Sequence, residues 1–228
     1  MAAGSAPEMT PQEQITRIRV HYTKGPSLRF TGHLDLQRIW ERLLRRTKLP
    51  LRYSEGYHPR ARLNLASALP LGFTSEAELL DFWMNEPLPE EEIKERLSTT
   101  APPGLEILSV STVDLREDAI QTRITASEYE IHFFDPQDRE ALEEKVTTLL
   151  DAKSIFRTRR KKTYDLRPLI HALEIREMEA DEIGLWMNLN AEPASTGRPD
   201  EVMDALGYAN TDYWVNRTQF ALSDNKPE

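Results

Sequence analysis

No cysteine occurs in the 228 residues. That absence excludes a disulfide framework, a thiol nucleophile, a thiolate zinc site and an iron–sulfur cluster held by this chain. No run approaches the roughly 18 consecutive apolar residues of a spanning helix, and the first residues lack the apolar stretch of a signal peptide. Five histidines are present (His21, His33, His58, His132, His171), and no two stand at helical metal-ligand spacing. HExxH, the Walker lysine loop and the GxSxG elbow are all missing. The expectation is a cytoplasmic protein with no metal, no cofactor and no membrane contact.

What is present is an ordinary globular composition with an uneven charge. Hydrophobic residues make up 39% of the chain and charged residues 29%, enough apolar surface for a core. The length fits one large domain or two small ones. From Arg17 to Arg62 there are twelve basic and three acidic residues, a local balance of +9. The whole chain carries −9, so the remainder sums to −18. Such segregation points to a positive surface for a phosphate-rich partner, against the plainer reading of solvated arginines paired with the acidic remainder. A second basic run, Arg157, Arg159, Arg160, Lys161 and Lys162, is equally well read as a charged hairpin edge that discourages aggregation.

Periodicity then gives the organisation. Residues 1–14 read as a disordered leader. Ile15 to His21 reads as a strand, Lys24-Gly25-Pro26 interrupts it, and Ser27 to Phe30 resumes extended chain. Leu36, Ile39, Trp40, Leu43 and Leu44 form an apolar stripe that predicts a helix from His33 to Lys48, with Gly32 as N-cap and Asp35 in the first turn. Arg38, Arg42, Arg45 and Arg46 share its opposite face. Tyr57-His58-Pro59-Arg60 is a constrained loop. Leu63 to Leu69 and Ala77 to Met84 read as strands, Pro89 to Thr99 as an acidic helix, and Leu105 to Val113 as a strand. Glu76, just before this strand, and Glu78 and Asp81 within it read as alternating strand carboxylates. Such alternation marks a solvent-facing surface, with metal coordination the less favoured reading.

That order, strand-helix-strand-strand-helix-strand, is the split βαβ unit. After a linker over 115–127 it recurs: a strand from Glu128, a helix to about Asp151, strands at Ser154–Arg160 and Leu185–Leu189, a short helix Asp200–Leu206, and a strand Tyr213–Leu222. The fold class expected is α+β, two ferredoxin-like (βαββαβ) domains in tandem. The first spans 15–114, the second 128–222, and 223–228 form a tail. Asp165, Arg167 and Gly207 are candidates for stabilising the interface between the copies.

Several motifs resemble a bacterial radical-SAM-associated family of unknown function. They are Gly32-His33-Leu34-Asp35, Tyr53-Ser54-Glu55-Gly56-Tyr57-His58-Pro59-Arg60, Pro70-Leu71-Gly72, Asp165-Leu166-Arg167-Pro168 and Arg198-Pro199-Asp200-Glu201. The resemblance implies a protein encoded beside, or fused to, a radical-SAM enzyme and neighbouring genes for RNA processing. Lacking cysteine, this chain would bind or present the substrate rather than hold the cluster. A second similarity, to the CRISPR repeat-processing (RAMP-like) endoribonucleases, would make His33 a general base for a ribose hydroxyl. The glycine-rich loop of that family is absent near the C-terminus, where the chain reads YWVNRTQFAL. A helix-start histidine that orders the Asp35 turn, or one that contacts ligand without chemistry, are the other readings of His33.

The functional expectation is a non-enzymatic RNA-binding or substrate-presenting accessory protein acting on tRNA or rRNA with a radical-SAM partner. Its candidate phosphate-binding residues are Arg38, Arg42, Arg45, Arg46, Arg52, Tyr57, His58, Arg60 and Arg62. The alternatives are an adaptor that docks an acidic protein without nucleic acid, and an endoribonuclease using His33.

Overall fold

The computed structural model describes residues 15–178, 182–209 and 211–223; the expected leader and most of the tail lie outside them. The chain is a mixed α+β protein built on a nine-stranded sheet with a separate two-stranded hairpin. In chain order its elements are β1 (Thr16–Lys24), α1 (His33–Arg46), β2 (Leu63–Leu65), β3 (Thr74–Met84), α2 (Glu90–Thr100) and β4 (Leu105–Val113). There follow α3 (Ile120–Arg123), β5 (Ile124–Phe133), α4 (Arg139–Asp151), β6 (Phe156–Arg159), β7 (Lys162–Asp165) and β8 (Ile170–Glu177). β9 (Ile183–Glu192), β10 (Ser195–Thr196), α5 (Pro199–Ala205) and β11 (Tyr213–Leu222) complete the chain.

The first four strands pair antiparallel in the order β4-β1-β3-β2. In the second half the order is β11-β5-β9-β8, again antiparallel, with β10 also paired to β9. Each half has its own core. Ile18, Val20 and Tyr22 of β1 meet Leu36, Trp40, Leu43 and Leu44 of α1, and Ile131 and Phe133 of β5 meet Leu142, Val146 and Leu149 of α4. Burial of these stripes is the main stabilising term.

The halves join where β11 runs parallel to the start of β3, pairing Asn216 with Thr74 and Arg217 with Ser75. Side chains reinforce this short pairing. The Thr74 hydroxyl donates to Asn216 Oδ1 at 2.9 Å and accepts from Trp214 Nε1 at 2.8 Å, while Asn216 Nδ2 donates to Glu76 at 2.8 Å. Behind it lies a buried charge cluster. Arg217 Nη1 donates to Glu78 at 3.0 Å with both side chains almost fully buried. Arg217 Nη2 donates to Ala68 O at 3.0 Å, and buried Lys24 donates to Phe73 O at 3.0 Å. Segment 66–73 is thereby tied across the seam, and it delivers Leu69 and Phe73 to the core of the second half. Burial pulls the Lys24 amine down to about 8, opposed by Glu78 and reinforced by Arg217. Burial works against the Arg217 charge, and neighbouring Glu78 overcomes it.

Several expectations are corrected. Ser27 to Phe30 is not extended, because Pro26–Leu28 makes a 3-10 turn. β2 stops at Leu65, and the expected remainder of that strand becomes the strap over the seam. Residues 115–127 contain α3 and the start of β5, with Ile120 and Ile124 buried against Ala66 and Phe220. β8 was not expected; it occupies part of the stretch between the basic hairpin and β9. Asp165 and Arg167 do not pair with each other. Asp165 accepts from Ile155 N and Arg167 N, and the Arg167 side chain donates to Leu150 O and Ile170 O, all within the second half.

Of the carboxylates of β3, Glu76 is exposed, but Glu78 and Asp81 are buried and do not form a solvent face. Glu78 is held by Arg217, and Asp81 is fully buried, accepting from Arg17 at 2.9 Å and Arg19 at 2.8 Å. β3 is central in the sheet, with β1 paired along one edge and β2 and β11 along the other, and the Asp81 carboxylate is covered by the guanidinium groups of Arg17 and Arg19. Glu117 continues this network, accepting from Arg19 at 2.6 Å and from Arg123. Among the described residues no group of three or more carboxylates and histidines converges to hold a metal, and no helix is long and apolar enough to cross a membrane.

Two outcomes follow for the seam. Glu78→Gln leaves buried cations without a counter-charge and is expected to lower the unfolding free energy by about 3–5 kcal/mol in urea titrations, with Glu78→Met/Arg217→Met recovering much of the loss. For Lys24, the folded pKa of about 8 lies below the ordinary 10.5. Between those values the unfolded chain binds the proton that the folded chain has released, so this group makes stability rise with pH across that window. Denaturant unfolding of wild type and Lys24→Met between these pH values should diverge by about 3 kcal/mol in favour of wild type.

Candidate functional site

Helix α1 presents two faces because its apolar residues recur at helical spacing. Leu36, Trp40, Leu43 and Leu44 turn inward, so Arg38, Arg42, Arg45 and Arg46 are left exposed. Asp35 in the first turn and Arg45 and Arg46 in the last complement the helix dipole. The chain then returns through a narrow tongue. Tyr53 bridges to Ala61, Ser54 N donates to Arg60 O at 2.8 Å, and Arg62 N donates to Arg52 O at 2.8 Å. Gly56 at φ +128° permits the reversal at its tip.

The tongue lies along the outer face of α1. Between them runs an open groove of about 590 Å³, lined by Arg38, Arg42, Arg45 and Arg60 with Tyr57 and His58. The Tyr57 ring is fully exposed. Arg38 pairs with Asp35 at 3.0 Å, and Arg60 reaches Glu41 only at 3.9 Å. Arg42 and Arg45 make no ion pair or hydrogen bond through their side chains among the described residues. A hollow of about 480 Å³ continues the groove, adding Arg46, Ile39 and Pro102. Arg46 also donates to Thr100 O at 2.9 Å. The arrangement is a strip of guanidinium groups beside an exposed aromatic ring, suited to holding a chain of anionic groups.

The structure thus brings together seven of the nine candidate residues. Arg62 instead stacks on Trp83, its guanidinium 4.3 Å from the ring centroid. Arg52 is half-buried and lines neither hollow. Arg17 and Arg19, part of the same basic stretch, are consumed by Asp81. His33 does not line the groove; it is half-buried at the start of α1, with Nδ1 buried and unpartnered.

One groove residue was missed by sequence reasoning. Glu41 is buried on the floor, accepting from Gln37 at 3.3 Å. Its place among the arginines is visible in the sequence, but its burial is not. Of the second basic run, Arg157 pairs with Glu201 at 3.3 Å and with Asp204, and Arg159 pairs with Asp200 at 3.2 Å. Only the tip, Arg160 to Lys162, is left without ion pairs among the described residues.

These features define a mixed α+β protein with a cation-lined surface groove. The chain belongs to the family described as "Uncharacterized protein conserved in bacteria (DUF2344)", whose model matches residues 17–199 and so includes the whole groove. A search of curated proteins returned no match. Among solved structures, the chain is similar to one in "Crystal Structure of a Cbf5-Nop10-Gar1 Complex". The TM-score is 0.47 and the identity 9%, covering 93% of this chain and 51% of that one. It is similar also to one in "Crystal structure of the archaeal box H/ACA sRNP Nop10-Cbf5 complex", with TM-score 0.44 and 10% identity, covering 90% and 48%. The chain therefore spans about half the length of these neighbours.

Glu41 sets the charge of the groove floor. Because its partners are a long amide contact and an exposed guanidinium, Glu41→Gln is expected to change stability by less than about 1 kcal/mol. It should also shift elution from a heparin column to higher salt, since one negative charge is removed from the strip.

Proposed function

We propose that this protein is a non-enzymatic RNA-binding accessory, which holds tRNA or rRNA in the α1 groove and presents it to a radical-SAM enzyme. The observation that carries the reading is the convergence of Arg38, Arg42, Arg45 and Arg60 with Tyr57 on one groove. Guanidinium groups bind phosphates through charge-assisted hydrogen bonds, and a free aromatic ring offers a stacking surface to an unpaired base. An acidic protein with a basic strip also orients a polyanion, because most of the remaining surface repels it. The resemblance seen in the sequence supplies the radical-SAM partner, and the absence of cysteine assigns the cluster to that partner. We read the two halves, with their matching strand orders, as two ferredoxin-like units.

Binding of tRNA and rRNA fragments should weaken steeply with salt. Contacts from four arginines correspond to a log–log slope of about −3 for a single strand. Arg42→Glu/Arg45→Glu should reduce affinity by at least about tenfold at low salt and flatten the slope. Absence of RNA binding at low salt, together with salt-sensitive binding of an acidic protein, would replace this reading with the adaptor. RNA cleavage by the pure chain that His33→Ala abolishes would replace it with the nuclease.

A further inference from the structure

A second cleft lies away from the arginine groove, under the strap at the seam. One hollow of about 490 Å³ is walled by Leu69 and Leu71 of the strap, by Ile124 and Tyr129 of β5, and by Thr196 and Arg198. A second, of about 480 Å³, continues it beneath the β6–β7 hairpin and shares Arg159, Thr196 and Arg198. This size suits a small organic ligand, as does an apolar wall with a few polar groups.

Three observations say what kind of ligand. Ser127 lines the first hollow, is 1% exposed, and its hydroxyl has no partner. A buried hydroxyl without a partner is costly, and a ligand edge offering either a donor or an acceptor would satisfy it. At the mouth, Arg198 makes no ion pair or hydrogen bond through its guanidinium among the described residues. Among the carboxylates nearby, Asp200 and Glu201 hold Arg159 and Asp165 accepts from two backbone amides, while Asp200 Oδ1 is buried with no partner. The hairpin reverses through Arg160 at φ +47° and Lys161 at φ +68°. A two-residue turn of that kind favours Asn-Gly, so cations stand here despite a backbone penalty. Arg160 and Lys162 line the second hollow beside Arg198.

We propose that this cleft binds one nucleotide unit, its base against the apolar wall with an edge on Ser127 and its phosphate at Arg198 and the hairpin. The unit is either a free mononucleotide or one nucleotide of an RNA strand. The site stands apart from the arginine groove, so a free mononucleotide would bind whether or not the groove holds RNA.

Calorimetric titration of the full chain with AMP, GMP, CMP and UMP, and with a short single-stranded oligonucleotide, tests it. At least one mononucleotide should saturate a single site. Arg198→Gln should weaken it by about tenfold, with Arg198→Lys intermediate. Ser127→Val should weaken both the nucleotide and its phosphate-free nucleoside, whereas Arg198→Gln should spare the nucleoside. Arg42→Glu/Arg45→Glu should leave mononucleotide binding unchanged, which separates this site from the groove. Displacement of the oligonucleotide by the mononucleotide identifies a strand-borne unit, and its absence a free one. If no mononucleotide binds the folded chain, or if binding ignores both Ser127→Val and Arg198→Gln, the proposal is overturned.

Discussion

A single buried carboxylate, Glu78, organises the middle of the molecule. Strand pairing between the two halves is confined, among the described residues, to two positions of β3 and β11, too few for backbone bonds alone to fix their relation. Glu78 draws Arg217 from the second half and lies within electrostatic reach of Lys24 from the first. Those cations in turn hold the carbonyls of Ala68 and Phe73. A charge buried in low dielectric must be paired, so the three groups constrain one another's positions far more tightly than apolar packing would. The strap, the junction of the two cores and the wall of the second cleft all depend on that arrangement.

The same requirement sorts the arginines of the basic stretch. Those on β1 meet a strand whose neighbours cover it on both sides, and they are neutralised by Asp81 and Glu117. Those on α1 stand opposite an apolar stripe, so the helix must leave them in water. Their charge remains available because exposed ion pairs such as Arg38–Asp35 offset little of it. The groove and the buried network are therefore two fates of one composition, decided by the period of the element carrying each residue.

Much of this was legible. The stripe from Leu36 to Leu44 located α1, and the extended stretches Leu105–Val113 and Tyr213–Leu222 coincide with β4 and β11. β8 escaped because a bulge between Ile170 and Ala172 breaks its alternation and leaves Ile170 and Leu173 buried three residues apart, a spacing that mimics a helix turn. Glu78 and Asp81 were misread because the strand period shows only which face a residue points to. Whether that face meets water or an arginine depends on strands far away in sequence. For the candidate site, the arginines of α1 were readable from helical period alone, whereas Arg62 turned to Trp83 for a reason no local pattern carries.

The sequence by itself determined the class of elements, the charge asymmetry and the outward arginine face of α1, because these follow from periods of two and 3.6 residues within short windows. Only the tertiary structure decided which cations stay free, that the tongue lies along α1 to make a groove, and that Glu78 closes the seam. Those outcomes depend on contacts such as Glu78 with Arg217, separated by 139 positions, where the desolvation of each charge is set by what the rest of the chain places against it.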